Sequence, residues 1–357
     1  MVTASTMSTL AAAESFGPTW SGVPSAAGVV GTALGAAVLT MVMERWGRRA
    51  GLVAGYAVGA IGGILAVLSS AAAAMLVAGM LLLGFGNSAA QLSRYAATDL
   101  NSGRPGRALA TVVWAGTIGA VGGPLLLAPV SDAATAAGRP AATGVFLLVI
   151  AAVAVSALTA TTLPPGTRVI RSDTNPPKPP MRLALTAMLV AQIVMAAIMT
   201  AAPLDIHQRG HGLHMTGAMV SVHTFGMFAL APLTGMLCDR FGGRMLITAG
   251  LVLLTIAAAG STVASALGVP VLALVLFLLG YGWNLAYIGG SSLISSDLPD
   301  VDQMRQQGAV ESKVWGGSAL ATLLSTVGFA AGGYGLLAAL SLGLLVVPAA
   351  LLLGPRR

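Results

Sequence analysis

The stretch MERWGRR at residues 43–49 puts an acid, three arginines and a glycine into seven positions of a chain that is only 8% charged. Apolar runs flank it on both sides. A second version, CDRFGGR, stands at residues 238–244, 195 positions later. Glu44, Arg45, Gly47 and Arg49 of the first align with Asp239, Arg240, Gly242 and Arg244 of the second. A charged turn that recurs between apolar runs at a fixed offset points to a duplicated unit.

The apolar runs set the class of protein. The 357 residues are 56% hydrophobic, with a mean hydropathy of +0.87. A soluble domain carries about a quarter charged residues, so a membrane-embedded chain is the class that fits. The net charge of +7 does not signal a nucleic-acid partner, because the charges fall in short gaps between apolar runs. Cys238 is the single cysteine, which excludes an intrachain disulfide and a cysteine metal cluster. The opening MVTASTMSTLAAA lacks the basic start and long apolar centre of a signal peptide.

A hydrocarbon layer of about 30 Å needs about 20 apolar residues per helix. Eleven runs meet this, near 23–43, 50–70, 73–98, 107–130, 142–163, 183–203, 215–238, 245–266, 270–296, 308–331 and 334–353. They are apolar on all sides, unlike the alternating strands of a membrane barrel. Of the 18 basic residues, all but Arg94, Arg139, Arg209 and Lys313 lie at 44–49, 99–107, 164–182, 239–244, 298–307 or the C-terminal tail. Those gaps are expected on the cytoplasmic side, and the C-terminus with them.

PPGTRVIRSDTNPPKPPMR at 164–182 reads as an extended cytoplasmic linker. It separates an N-terminal bundle, 1–163, from a C-terminal bundle, 183–357. Further echoes join the halves: LGFG at 83–86 with LGYG at 279–282, and ATDL at 97–100 with SSDL at 295–298. The second half holds six spans and the first five. VTASTMSTLAAA resembles the outer end of a first helix whose beginning is absent, so the reading expects a twelve-span ancestor and either an upstream start or a truncated chain. The expected fold is an all-α integral membrane protein of two pseudo-symmetric helix bundles, with about 11 spans and an incomplete first helix.

With these features the chain resembles the major facilitator superfamily. That family's motif A runs G-x-x-x-D-R-x-G-R-R. Here the first copy is Thr40 to Arg49, with Thr40 for glycine and Glu44 for aspartate. The second is Gly235 to Arg244, with Gly243 for an arginine. GAVGGPLLLA partly matches motif C on the fifth helix through Gly119, Gly123 and Pro124, and that motif's association with antiporters leans the resemblance toward export. Met80 stands where motif B has an arginine.

The resemblance implies a secondary transporter that moves a small organic solute across the inner membrane by alternating access. Proton-coupled import is the alternative. It also implies a gating role for the charged turns. Gly47 and Gly242 permit the turn, and Arg48 would pair with Asp99 and Arg244 with Asp297, as latches at the cytoplasmic face. Binding of lipid phosphates by the same arginines is the plainer reading.

Polar residues inside apolar spans are informative because hydrocarbon offers them no partner. Asn87 and Gln91 lie one turn apart on the 73–98 span, and Asn284 and Tyr287 repeat the arrangement on the 270–296 span beside Trp283. With Gln192 they form a candidate solute cavity, interhelical hydrogen bonding being the alternative. His223 and Glu311 are candidates for proton coupling. Glu311 is also read as a dipole-matched residue at the start of the eleventh helix, and Arg94 as snorkelling to the interface. Gly51, Gly55, Gly59 and Gly63 give one helix a smooth packing face. There is no Walker-type G-x-x-x-x-G-K-[ST] loop and no nucleophile–base constellation. Neither ATP, nor a cofactor, nor a metal, nor enzymatic activity is expected. The expected partners are the lipid bilayer, a small-molecule solute and protons, with the chain a monomer. A non-transporting sensor or truncated membrane protein is the rival class.

Overall fold

The computed structural model describes residues 1–16, 22–100, 105–163, 181–295 and 300–353. Every regular element among them is helical. In order they are α1 (Val2–Phe16), α2 (Val23–Val67), α3 (Ala73–Leu100), α4 (Pro105–Ala115), α5 (Thr117–Leu125), α6 (Leu127–Ala136), α7 (Ala141–Thr161), α8 (Met181–Gln208), α9 (Leu213–Phe228), α10 (Ala231–Phe241), α11 (Gly243–Leu267), α12 (Val269–Ser295) and α13 (Asp300–Leu353). A short 3-10 turn, Leu68–Ala71, joins α2 to α3. Helix is the form in which a chain in hydrocarbon satisfies its own backbone N–H and C=O groups.

Eight of these segments are long and apolar enough to cross a membrane, and nine if the broken pair Leu109–Leu125 and Leu127–Ala136 counts as one span. Two helices exceed a single crossing. At 1.5 Å per residue the 45 residues of α2 run about 68 Å, more than twice the hydrocarbon thickness. The helix breaks at Gly47, where φ is 82° and ψ 164°. The 54-residue α13 breaks in the same manner at Gly332 and Gly333. Divided at Gly47, α2 covers the two runs read near 23–43 and 50–70, and α9 with α10 covers the run read near 215–238. α1, with 15 residues, is about 22 Å long, short of a full crossing.

The chain folds as two compact units. One draws on Met1–Ala96, Leu126–Asn175 and Pro299–Leu323; the other on Ala97–Leu125, Pro176–Leu298 and Leu324–Arg357.

The sequence repeat is also a repeat of contacts. In the first unit, a Cβ on Gly84 would strike the carbonyl of Gly28 on α2, and one on Gly86 would come within 3.0 Å of the carbonyl of Gly55. In the second, a Cβ on Gly280 would strike the carbonyl of His223 on α9, and one on Gly282 would lie 3.0 Å from that of Gly250 on α11. Gly84 and Gly86 thus admit the stretches of α2 before and after its break at Gly47, and Gly280 and Gly282 admit α9 and α11. Without a hydrophobic drive between helices in lipid, such close backbone approach supplies the van der Waals packing that holds a bundle together. The glycine face at the start of the 50–70 span, in the second half of α2, serves the same end. Gly55 meets Leu39 and Ala89, Gly59 meets Gly86, and Gly63 meets Ile150 of α7.

Candidate functional site

The two charged turns share one backbone conformation. Gly47 has φ 82° and ψ 164°, Gly242 φ 82° and ψ 158°. This positive-φ region is open to glycine and costs an L-residue with a Cβ, which accounts for glycine at the same place in both copies. In the second copy Asp239 faces Arg107 at 3.6 Å, both partly exposed. Arg244 donates to the carbonyl of Leu352 at 2.9 Å, and the Arg240 guanidinium lies 5.2 Å from the centre of the Phe241 ring. The side chain of Asp99 and the whole of Asp297 lie outside the described residues, as do the latches expected of them.

Inside the first unit the structure departs from the sequence reading at two charges. Arg94 is 4% exposed and does not snorkel. Its guanidinium Nη2 forms an ion pair with Glu311 Oε1, whose side chain is fully buried. Glu311 is not at a helix start either. α13 begins at Asp300, so Glu311 sits about three turns inside it, where a helix-terminus dipole does not reach. The physical reason for both departures is the same: a buried charge needs an opposite charge more than it needs an exit. Arg94 Nη1 also donates to Gln91 Oε1 at 3.2 Å, and Trp315 Nε1 donates to Glu311 Oε2 at 3.2 Å. Higher on the same face of α3, Asn87 reaches Thr32 Oγ1 at 3.4 Å. Asn87, Gln91 and Arg94 follow the i, i+4, i+7 spacing of one helix face. Thr32 and Trp315 were not singled out from the sequence, because a threonine or tryptophan in an apolar run carries no signal by itself.

The second unit holds the other group. Gln192 accepts the indole N–H of Trp283 at 2.7 Å. Trp283 stacks on Tyr287, with ring centres 4.4 Å apart and planes 25° from parallel. Asn284, one position on, turns the other way and donates to the carbonyl of Met227 at 2.6 Å. All four side chains are buried. Met227 lies close to the break between α9 and α10. Asn284 therefore ties α12 to α9 near that break, while Trp283 bonds to Gln192 of α8 and meets the Phe228 ring of α9 edge-on, with ring centres 6.2 Å apart. The six expected cavity residues fall into two sets, Asn87 with Gln91 and Gln192 with the α12 trio, in different units.

His223 is 2% exposed, and its Nδ1 lies 2.9 Å from the carbonyl of Leu276. A carbonyl only accepts, so Nδ1 carries the proton and Nε2 is the acceptor. On α5, Gly119 has open space around its Cα, whereas Pro124 is buried and its carbonyl lies 2.8 Å from where a Cβ on Gly217 would be.

These features define a class: a multi-pass helical membrane protein built from a repeated set of spans, with charged turns and buried polar clusters between them. The Major Facilitator Superfamily profile matches residues 183–357. The chain is 32% identical over 317 residues to YdeG, an uncharacterized MFS-type transporter of Bacillus subtilis, covering 82% of this chain and 73% of that one. It is 30% identical over 312 residues to the riboflavin transporter RfnT of Brucella anthropi, covering 83% and 76%. Among solved structures, the human organic anion transporter MFSD10 superposes with a TM-score of 0.76 at 18% identity, over 94% of this chain and 84% of that one. The chain belongs to the major facilitator superfamily, whose members are secondary transporters.

Proposed function

We propose that the chain is a proton-coupled secondary transporter that moves a small amphipathic organic solute across the bacterial plasma membrane. It works as a monomer by alternating access of its two repeats, 1–163 and 183–357, with the C-terminus in the cytoplasm. The observation that carries this reading is the buried Arg94–Glu311 pair. Charged side chains within membrane spans are costly and mark ion and substrate paths. Arginine stays charged under all working conditions, but a carboxylate can be neutralised by one proton. A proton delivered to Glu311 removes the Coulombic hold between α3 and α13. Proton uptake is thereby linked to a change in helix contact, which is what coupling requires.

The stacked Trp283–Tyr287 pair beside the Gln192 amide supports a flat solute with polar edges, and RfnT makes riboflavin the first probe. The GAVGGP segment supports export as the direction.

The test uses the full chain in proteoliposomes, with riboflavin and a panel of planar amphipathic solutes and a pH dye inside. The wild type should move protons when solute is added. E311Q should keep solute exchange between equal pools and lose solute-driven proton movement. Proton movement in E311Q at the wild-type rate refutes coupling at Glu311, and absence of exchange for the whole panel refutes the solute class.

A further inference from the structure

Pro124 sits inside α5. A proline in a helix has no N–H to give to the carbonyl four residues earlier, and its ring crowds that carbonyl. Here the deprived carbonyl belongs to Ala120. Inside a membrane there is no bulk water to satisfy it. The structure supplies a substitute from another helix: Thr224 Oγ1 of α9 lies 2.9 Å from the Ala120 carbonyl. The next carbonyl, Val121, accepts from Ser221 Oγ at 3.0 Å. Both hydroxyl side chains are buried, Thr224 completely.

The face of α9 that does this is regular. Gly217, Ser221 and Thr224 follow i, i+4, i+7, the spacing of one helical stripe. Gly217 admits the Pro124 carbonyl, close enough that an added Cβ would sit 2.8 Å from it. The two hydroxyls then meet the backbone one turn further along. Serine and threonine re-satisfying the backbone around a membrane proline is a general solution. The specific feature here is that the donors come from α9, so the proline break of α5 cannot be satisfied without α9 alongside.

We infer that Ser221 and Thr224 are positioning residues that replace the backbone hydrogen bond lost at Pro124 and so fix the broken helix α5 against α9. This goes beyond the transport reading and does not depend on its solute. Thr224 has one proton and further carbonyls in reach, Val220 at 3.0 Å and Ser221 at 3.1 Å on its own helix. Valine matches its shape and lacks the proton, and serine keeps the proton.

The experiment is a double-mutant cycle read by hydrogen–deuterium exchange of the 117–128 segment, on the full chain in nanodiscs. T224V should speed exchange there by roughly threefold, the scale of one average lost interhelical hydrogen bond. T224S should exchange like the wild type. In a P124A background, alanine supplies the N–H that Ala120 lacks, so T224V should change little. The inference is overturned if T224V speeds exchange equally with Pro124 and with P124A, or if T224V leaves the wild-type rate unchanged. If T224V does not insert, T224C, a weak donor of similar size, takes its place in the same cycle with the same two readings.

Discussion

Arg94 of α3 and Glu311 of α13 meet in a buried ion pair although 217 positions separate them in the chain. Arg94 follows the first charged turn and Glu311 the second, so the pair joins segments from both repeats within one compact unit. Breaking a buried pair on one side leaves an uncompensated charge, at a cost of about 3–5 kcal/mol. R94Q and E311Q should each lower thermal stability in detergent strongly. The double variant R94Q/E311Q should recover much of the loss, because no charge is stranded. A double variant as unstable as the sum of the singles would show that the two side chains do not act as a pair.

Glycines whose Cβ would meet backbone should tolerate nothing larger. G84A and G280A place a methyl group against the carbonyls of Gly28 and His223. Backbone cannot step aside as a flexible side chain can, and overpacking costs about 1–3 kcal/mol or more. G119A and G122A meet nothing within 4 Å and should be within about 0.5 kcal/mol of the wild type. Melting curves of the four variants, each purified in the same detergent, decide the matter; similar midpoints for G84A and G119A would contradict the packing described.

Gly242 offers a purer test of conformation. A Cβ there has open space, so the cost of G242A is the backbone conformation alone, φ 82° with ψ 158°, about 1–3 kcal/mol. G242N should cost about as much, since asparagine tolerates the left-handed helical region but not φ 82° with ψ 158°. G47A and G47N should both be destabilised as well, because Gly47 shares the conformation. A G242A variant as stable as the wild type would mean that the turn adopts another backbone path.

Asn284 and Trp283 should separate in their effects. N284A removes the bond to the Met227 carbonyl, and interhelical hydrogen bonds in membranes average about 0.6 kcal/mol. W283F keeps an aromatic ring on Tyr287 but takes the indole donor from Gln192. In a solute-binding screen W283F should alter the profile of polar-edged planar solutes more than N284A does. The reverse ranking would move the solute contact from the Trp283–Gln192 bond to the Asn284 amide.

Much of the fold was legible because hydrocarbon imposes one simple demand, about twenty apolar residues per helix. The echo of MERWGRR in CDRFGGR and of LGFG in LGYG located the repeat before any helix was placed. What the sequence left open concerned partners. Gln192 reads as a cavity residue without a named partner, since nothing in a string of letters says that Trp283 will present an indole N–H to it. Glu311 looked like a helix start because the polar residues before it hid three further turns of α13. Arg94 looked free to snorkel because its counter-charge lies in the other half of the chain. Ser221 and Thr224 had a readable signal, the spacing with Gly217. Its meaning appeared only with the proline opposite.

The matched glycine contacts of the two repeats make the molecule its own replicate. A substitution at Gly84 or Gly86 has a twin at Gly280 or Gly282, in a similar helix neighbourhood but a different sequence background. A tolerance scan of one half can therefore be scored against the other within a single protein. Positions where the twins disagree would mark where the copies have taken on separate duties since duplication.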